Sequence, residues 1–190
     1  MVHLQTYEEL PLNRREIFRY AGCAVPGEAE TSILEECLAE LSGKLTYRVC
    51  WREFPLTCPD LPFCPTGSAD LAKYLRECTK IVVFGATVGL ELDRLIARYS
   101  RISPVKALFY QSIGAERIES LCDAFCDEME PLYAPGRTKP RYSPGYGDLP
   151  LDVQKAFFAV LDCPRKIGLT LNESMLMSPS KSVTAIIGIQ

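Results

Sequence analysis

Two proline-rich segments limit where this chain can form regular structure. Residues 54–67, FPLTCPDLPFCPTG, contain four prolines in fourteen positions, and residues 131–150 end in RYSPGYGDLP, with two prolines, two glycines, two tyrosines and one arginine. Proline lacks a backbone N–H and fixes φ, so we expect the first segment to be a connecting loop rather than a helix or a central strand, and the second to be an irregular loop. Helices and strands must therefore lie before, between and after these two segments.

Helical spacing accounts for much of the remaining sequence. Asn13 and Glu16 have the spacing of a capping box and predict a helix over residues 14–21. Residues 28–42 repeat apolar side chains at helical spacing and end at Gly43. The same reasoning predicts further helices over residues 69–78, with Ser68 as its cap, and over residues 88–100, 103–129 and 150–162.

Strand patterns occur in three places. Residues 44–54 alternate apolar and mostly polar side chains, residues 80–86 form a short apolar run, and the tail after residue 166 contains short strand-like segments joined by turns. Helices and strands are mixed without a regular βαβ repeat. We therefore predict an α+β fold with one domain over residues 1–190, built on a largely antiparallel twisted sheet flanked by helices and ending in a β-hairpin or meander.

Charge and hydropathy argue against two classes of partner. The net charge of −3 lacks the basic excess that binds nucleic acid. No run approaches the roughly 18 apolar residues of a membrane span, and the first residues lack the pattern of an export signal. Nine cysteines, an odd number, fit free thiols better than a disulfide framework. We therefore expect a cytoplasmic protein with no nucleic-acid or membrane partner.

The residues that serve acid–base and metal chemistry are scarce. His3 is the single histidine and lies at a terminus that we expect to fray, where it cannot be oriented for proton transfer. The closest cysteines, Cys58 with Cys64 and Cys122 with Cys126, have no histidine nearby in the sequence. We therefore expect no catalytic residue and no metal site, and a protein that supplies binding geometry instead.

Two glycine-containing segments remain as candidate ligand sites. In KIVVFGATVG, Gly85 and Gly89 do not have G-x-G-x-x-G spacing, so a dinucleotide site is disfavoured. In RYSPGYGDLP, Arg141 offers a planar fork for a carboxylate, Gly145 allows close approach to the backbone, and aromatic rings can face a cation. S-adenosylmethionine carries a carboxylate, an amine and a sulfonium, and would use all three. Composition alone favours a solvated surface loop, so this assignment needs a further observation.

Two motifs in order supply that observation. Arg141, Gly145 and Tyr146 form R-x-x-x-G-Y, and GLTLNESMLMSPSKSV further along matches G-x-x-L-x-E-S-x-x-M-x-P-x-x-S-V. At this separation the pair resembles the S-adenosylmethionine-binding reactivation domain of cobalamin-dependent methionine synthase. The resemblance is best over residues 80–190 and weak over residues 1–79.

The resemblance implies a ligand site and its residues. It implies that Arg141 binds the carboxylate of S-adenosylmethionine, that the backbone of Ser143 and Gly145 lines the groove, and that Tyr146 lies against the ligand. Glu119 matches an acidic position of the family and would pair with the α-amine, although a solvated helix charge is an equal alternative.

The resemblance also implies a role in which the chemistry occurs at cobalt on another protein. The sequence lacks a corrinoid-binding D-x-H-x-x-G element, so we expect a free-standing reactivation subunit. It would support reductive remethylation of cob(II)alamin on a separately encoded methionine synthase or related corrinoid methyltransferase, with flavodoxin or a similar electron donor. The alternatives are a methyltransferase acting on another substrate and a non-enzymatic binding module that has kept the fold.

Overall fold

An antiparallel sheet forms the centre of the molecule. The computed structural model describes residues 1–23 and 25–190, and within these ranges the main sheet has four strands in the order β1-β2-β3-β6. Each neighbouring pair is antiparallel, and a separate two-stranded hairpin pairs β4 with β5. The strand bounds are His3–Tyr7 (β1), Tyr47–Pro55 (β2), Lys80–Thr87 (β3), Thr170–Leu171 (β4), Met177–Ser178 (β5) and Ser182–Ile189 (β6). The predicted α+β class, antiparallel sheet and C-terminal hairpin are confirmed.

Helices cover both faces of the main sheet. Their bounds are Arg14–Tyr20 (α1), Glu28–Leu41 (α2), Ala69–Tyr74 (α3), Glu91–Ile102 (α4), Pro104–Leu132 (α5), Gln154–Leu161 (α6) and Cys163–Ile167 (α7), with a 3-10 turn at Leu151–Val153. The side chain of Asn13 accepts the N–H of Glu16 and that of Ser68 accepts the N–H of Leu71, so both predicted caps are present. The reciprocal bond of the predicted capping box does not form, because the N–H of Asn13 donates to Glu116. None of the described helices is long and apolar enough to cross a bilayer.

The core is divided between the two faces of the sheet. Phe84 and Ala86 of β3 pack with α1, α2, α4 and α5 on one face, while Ile81 and Val83 of the same strand pack with α3, α6 and α7 on the other. Strand β6 is likewise buried on both faces, since Ala185 and Ile187 belong to the first part of the core and Ile186 to the second. This arrangement makes the sheet a middle layer between two layers of helices.

The N-terminus is ordered, and the expectation that it frays is wrong. His3 pairs with Trp51 in the β1-β2 register, and the centroids of the two rings lie 4.3 Å apart in a stacked arrangement. A five-residue segment is too short to predict as an ordered strand by itself, and its pairing with β2 is what orders it.

Two helical predictions also need correction. The helix predicted to run to residue 78 stops at Tyr74, and Glu77 adopts a left-handed φ of 67°. Asp162, with φ of 53°, ends α6 and precedes α7, which the sequence pattern did not predict. Left-handed residues interrupt a helix, and here neither is a glycine.

The pairing of β3 differs from that of the first strand in a dinucleotide-binding unit. The strand is antiparallel to both neighbours, so the turn after it does not belong to a parallel βαβ unit. Gly85 lies within the strand, where a Cβ atom would be 3.2 Å from the sulfur of Cys163. Close packing of α7 on the sheet therefore accounts for this glycine.

Candidate functional site

Residues 138–149, which we call the Arg141 loop, lie along the outer edge of β6. Tyr142 and Ile186 exchange both backbone hydrogen bonds, each 2.9 Å long. The N–H of Lys139 donates to the carbonyl of Gly188 at 2.8 Å. These bonds cover the edge of the sheet as a further strand would, and they fix the backbone on both sides of Arg141.

The second half of the loop is a tight turn. The N–H of Tyr146 donates to the carbonyl of Ser143 at 3.2 Å, and the N–H of Gly145 donates to the carbonyl of Leu149 at 2.9 Å. Gly145 has φ of 92°, and a Cβ atom there would lie 3.3 Å from the side chain of Leu151. This turn therefore requires glycine. The N–H groups of Gly145 and Tyr146 already have hydrogen-bond partners within the turn.

Arg141 forms ion pairs with two carboxylates of α5. One guanidinium nitrogen donates to Glu119 and another to Asp123, while the Arg141 side chain is 24% exposed. Burial alone lowers the pKa of Arg141, but the hydrogen bond to Asp123 and the surrounding negative charges outweigh it and raise the pKa. Glu119 and Asp123 stand one turn apart on the same helix face, so one guanidinium can engage both.

The two carboxylates also border a small acidic depression between α1 and α5. It has a volume of about 270 Å³ and is lined by Asn13, Glu16, Tyr20, Glu116, Glu119, Ser120 and Asp123. Arg141 therefore lies beside a concave surface whose charged lining residues are all carboxylates.

A larger cleft lies between α3 and the Arg141 loop. Its volume is about 590 Å³, and it is lined by Asp70, Lys73, Tyr74, Lys139, Pro140, Arg141, Tyr142, Tyr146 and Gly147. We call it the tyrosine cleft because three tyrosine rings form a continuous series. The ring centroids of Tyr74 and Tyr142 are 4.9 Å apart and those of Tyr142 and Tyr146 are 6.1 Å apart. The volume is within the range of small-molecule sites.

The structure distributes the five residues expected from the sequence over these features. Arg141 and Tyr146 line the tyrosine cleft, and Tyr146 is 63% exposed at its surface. Glu119 contacts Arg141 and lines the acidic depression. Ser143 and Gly145 form the turn between Arg141 and Tyr146 and do not line the cleft.

Two residues of this region were not predicted from the sequence, Asp123 and Tyr74. Asp123 is four positions after Glu119, and this helical spacing was the one signal that could have indicated it. Tyr74 had no comparable signal, since it comes from α3, far from the Arg141 loop in sequence.

Two cysteines of α5, Cys122 and Cys126, lie near Arg141. Burial raises the pKa of Cys122 and of Cys126, which keeps both thiols uncharged. Within the described ranges there is no group of three or more histidine, cysteine, aspartate or glutamate side chains placed to hold a metal ion. The arrangement can bind a charged small molecule.

Comparison with known proteins supports the fold. No protein-family model matches the sequence, and no curated protein is similar to it. Among solved structures, the chain is similar to the MetH reactivation domain bound to AdoHcy, with a TM-score of 0.74 and 16% sequence identity. The match covers 99% of this chain and 78% of that one. At this identity the likeness shows that the two chains share a fold.

Proposed function

We propose that this chain binds S-adenosylmethionine at the Arg141 loop and acts as a reactivation subunit for a corrinoid methyltransferase. The observation that carries the proposal is a guanidinium held by two carboxylates at the edge of an aromatic cleft. The solved structure with the same fold is described as bound to AdoHcy, which supports this class of ligand.

The charges around Arg141 suit the amino-acid end of the ligand. An α-amino acid is a zwitterion, so its carboxylate needs a fork of N–H donors and its ammonium needs carboxylate acceptors. Arg141 would supply the donors, and Asp123 with Glu119 would accept from the ammonium. Two carboxylates facing one guanidinium leave an excess negative charge, which favours a ligand that also carries a sulfonium cation.

The tyrosine cleft suits the rest of the ligand. An adenine ring can stack on an exposed tyrosine, and a sulfonium is attracted to the face of an aromatic ring. Tyr146 is the exposed ring of the series, and Gly145 supplies the left-handed turn that places this ring at the cleft. We therefore place the adenosine in the cleft and the amino-acid end at Arg141.

The reactivation role is supported by the two sequence motifs together with the shared fold. Bound S-adenosylmethionine supplies a methyl group. The partner is a cobalamin-dependent methionine synthase or a related corrinoid protein that holds the cobalt, and flavodoxin or a similar donor supplies the electron. This chain contributes the position of the methyl donor.

Calorimetric titration with S-adenosylmethionine tests the binding site. A charge-assisted pair with a carboxylate is worth on the order of 1.5–3 kcal/mol, so Arg141→Ala should weaken binding roughly ten- to a hundredfold. Arg141→Lys should recover only part of the affinity, because an ammonium cannot form the fork. Gly145→Val should also weaken binding by displacing the turn, and Tyr146→Phe should have a smaller effect if the ring face makes the contact.

A matched control keeps the result specific. Arg137 is an exposed arginine just before the Arg141 loop, and Arg137→Ala should leave the affinity unchanged. Unchanged affinity in a folded Arg141→Ala protein would show that this arginine does not bind the ligand. Absence of binding by the unaltered protein would overturn the proposed function and favour a binding module that lacks this ligand.

A further inference from the structure

Tyr74 of α3 connects the Arg141 loop to the main sheet. Its hydroxyl donates to the carbonyl of Pro140 at 2.9 Å and accepts the N–H of Gly188, in β6, at 2.8 Å. Its ring stacks on Tyr142 with 25° between the planes. One side chain thus contacts residues on both sides of Arg141 and the strand beside them.

Lys139 reinforces the same connection. Its ammonium donates to the carbonyls of Tyr74 and Arg76, at 2.7 and 2.6 Å, where α3 ends. The last carbonyls of a helix lack partners within the helix and carry partial negative charge, so a lysine is stabilised there. The first half of the Arg141 loop is therefore fixed to the C-terminal end of α3.

The opposite end of α3 holds the second half of the loop. The carboxylate of Asp148 accepts from the hydroxyl of Ser68 and from the N–H groups of Ala69 and Asp70, the latter two at 2.8 and 3.2 Å. In return, the N–H of Asp148 donates to the side chain of Asp70 at 3.2 Å. A short helix thus spans the loop and fixes it at both ends, with Arg141 between the two attachments.

We infer that Tyr74 is a positioning residue for the ligand site and acts through the backbone on either side of Arg141. The guanidinium must engage the ligand carboxylate while two carboxylates of α5 compete for it. A loop that moved relative to α5 would lose this geometry, whereas the bonds from Tyr74 to Pro140 and Gly188 hold it. The inference rests on the proposed function for the identity of the ligand, while the fixing of the loop can be measured without ligand.

Tyr74→Phe separates positioning from packing because it removes the hydroxyl and keeps the stacked ring. Hydrogen exchange should show protection of the Lys139 and Tyr142 amides reduced about tenfold, the loss expected when a hydrogen bond of about 1.4 kcal/mol is removed. Calorimetry should show S-adenosylmethionine binding weakened by a similar factor. Tyr133→Phe is the matched control, since its half-buried hydroxyl donates to Glu53 at 2.7 Å, away from the loop. It should change neither quantity.

A second variant tests the attachment of the loop at the N-terminal end of α3. Asp148→Asn should loosen the other attachment and weaken binding while leaving Tyr74 intact. Unchanged protection at Lys139 and Tyr142 in Tyr74→Phe would overturn the inference. The inference would also be overturned if Tyr74→Phe reduced this protection but left the affinity for S-adenosylmethionine unchanged, while Arg141→Ala still weakened binding. If the unaltered protein does not bind S-adenosylmethionine, the proposed function is wrong, and the exchange data alone decide whether Tyr74 fixes the loop.

Discussion

Single cysteines should differ in reactivity according to their burial. All nine are free thiols, with Cys58 exposed and Cys37, Cys50, Cys122 and Cys163 buried. Burial raises the pKa of Cys122, and the thiolate is the form that reacts. Iodoacetamide labelling followed by peptide mass spectrometry should modify Cys122 at least about tenfold more slowly than Cys58. In unfolded, unreduced protein most of the nine should react, and recovery of four stable disulfides would contradict this prediction.

The sequence indicates candidate site residues where a residue type has a special use in a loop. Arg141, Gly145 and Tyr146 stand out because a planar fork, a residue without a side chain and an aromatic ring can each contact a ligand, and their binding role stays a prediction. Asp123 had only its helical spacing from Glu119 as a signal, and Tyr74 had none. Asp123 contacts Arg141, 18 positions away in sequence, and Tyr74 contacts Pro140, 66 positions away. Only the folded chain brings such pairs together.

The proline-rich connection between β2 and α3 should depend on one carboxylate. Asp60 accepts from the N–H groups of Leu61, Thr66 and Gly67, at 2.7, 2.8 and 2.9 Å, and from the Thr66 hydroxyl at 2.8 Å. Asp60→Ala should lower the free energy of unfolding by about 2 kcal/mol in urea denaturation, since bonds to a charged acceptor are lost from a partly exposed site. Asp60→Asn, which keeps one acceptor oxygen, should cost less. Asp127→Ala, on the exposed face of α5, should have little effect.

The Asp60 carboxylate should also make the connection between β2 and α3 sensitive to acid. Burial raises the pKa of Asp60, but the N–H groups of Gly67 and Thr66 and the Thr66 hydroxyl outweigh it, so the pKa lies below its usual value of 3.8. A lowered pKa in the folded state stabilises the fold above the unfolded-state pKa, and this contribution is lost as pH falls from about 3.8 through the folded-state pKa. The difference in stability between the unaltered protein and Asp60→Ala should therefore shrink in acid. A difference that stays constant from pH 6 to pH 2.5, or grows, would contradict this account.

Elements were predictable where local chemistry decides them. Side-chain caps at Asn13 and Ser68 mark the starts of α1 and α3 in the sequence as in the structure. The end of α3 and the existence of β1 depend on tertiary contacts, because β1 is ordered by pairing with β2 and α3 is bonded to the Arg141 loop. Local patterns do not contain that information.

For the whole molecule, fold class could be read from the missing βαβ repeat, but strand order could not. The order β1-β2-β3-β6 places β1 and β6 at opposite edges of the sheet. His3 therefore lies three strand spacings from β6, roughly 15 Å, and the Arg141 loop lies beyond that strand. The single histidine of the chain is too distant to transfer a proton at the proposed ligand site.

This separation leads to a prediction about the activity of the whole protein. His3 is too far away to act as a base at the proposed site, and in the proposed role the methyl acceptor is cobalt on a partner protein, so the purified protein should not transfer a methyl group to small molecules by itself. Added to a cobalamin-dependent methionine synthase inactivated as cob(II)alamin, it should restore activity when S-adenosylmethionine and a one-electron donor such as flavodoxin are present. Remethylation of cob(II)alamin consumes one electron and one methyl group, so omission of either reagent should abolish recovery.

Arg141→Ala should reduce the recovered activity at limiting S-adenosylmethionine. At saturating S-adenosylmethionine the recovered activity should approach that given by the unaltered protein, because the substitution weakens binding and leaves the partner's chemistry intact. Methylation of a small molecule without a corrinoid partner would instead favour a methyltransferase with another substrate.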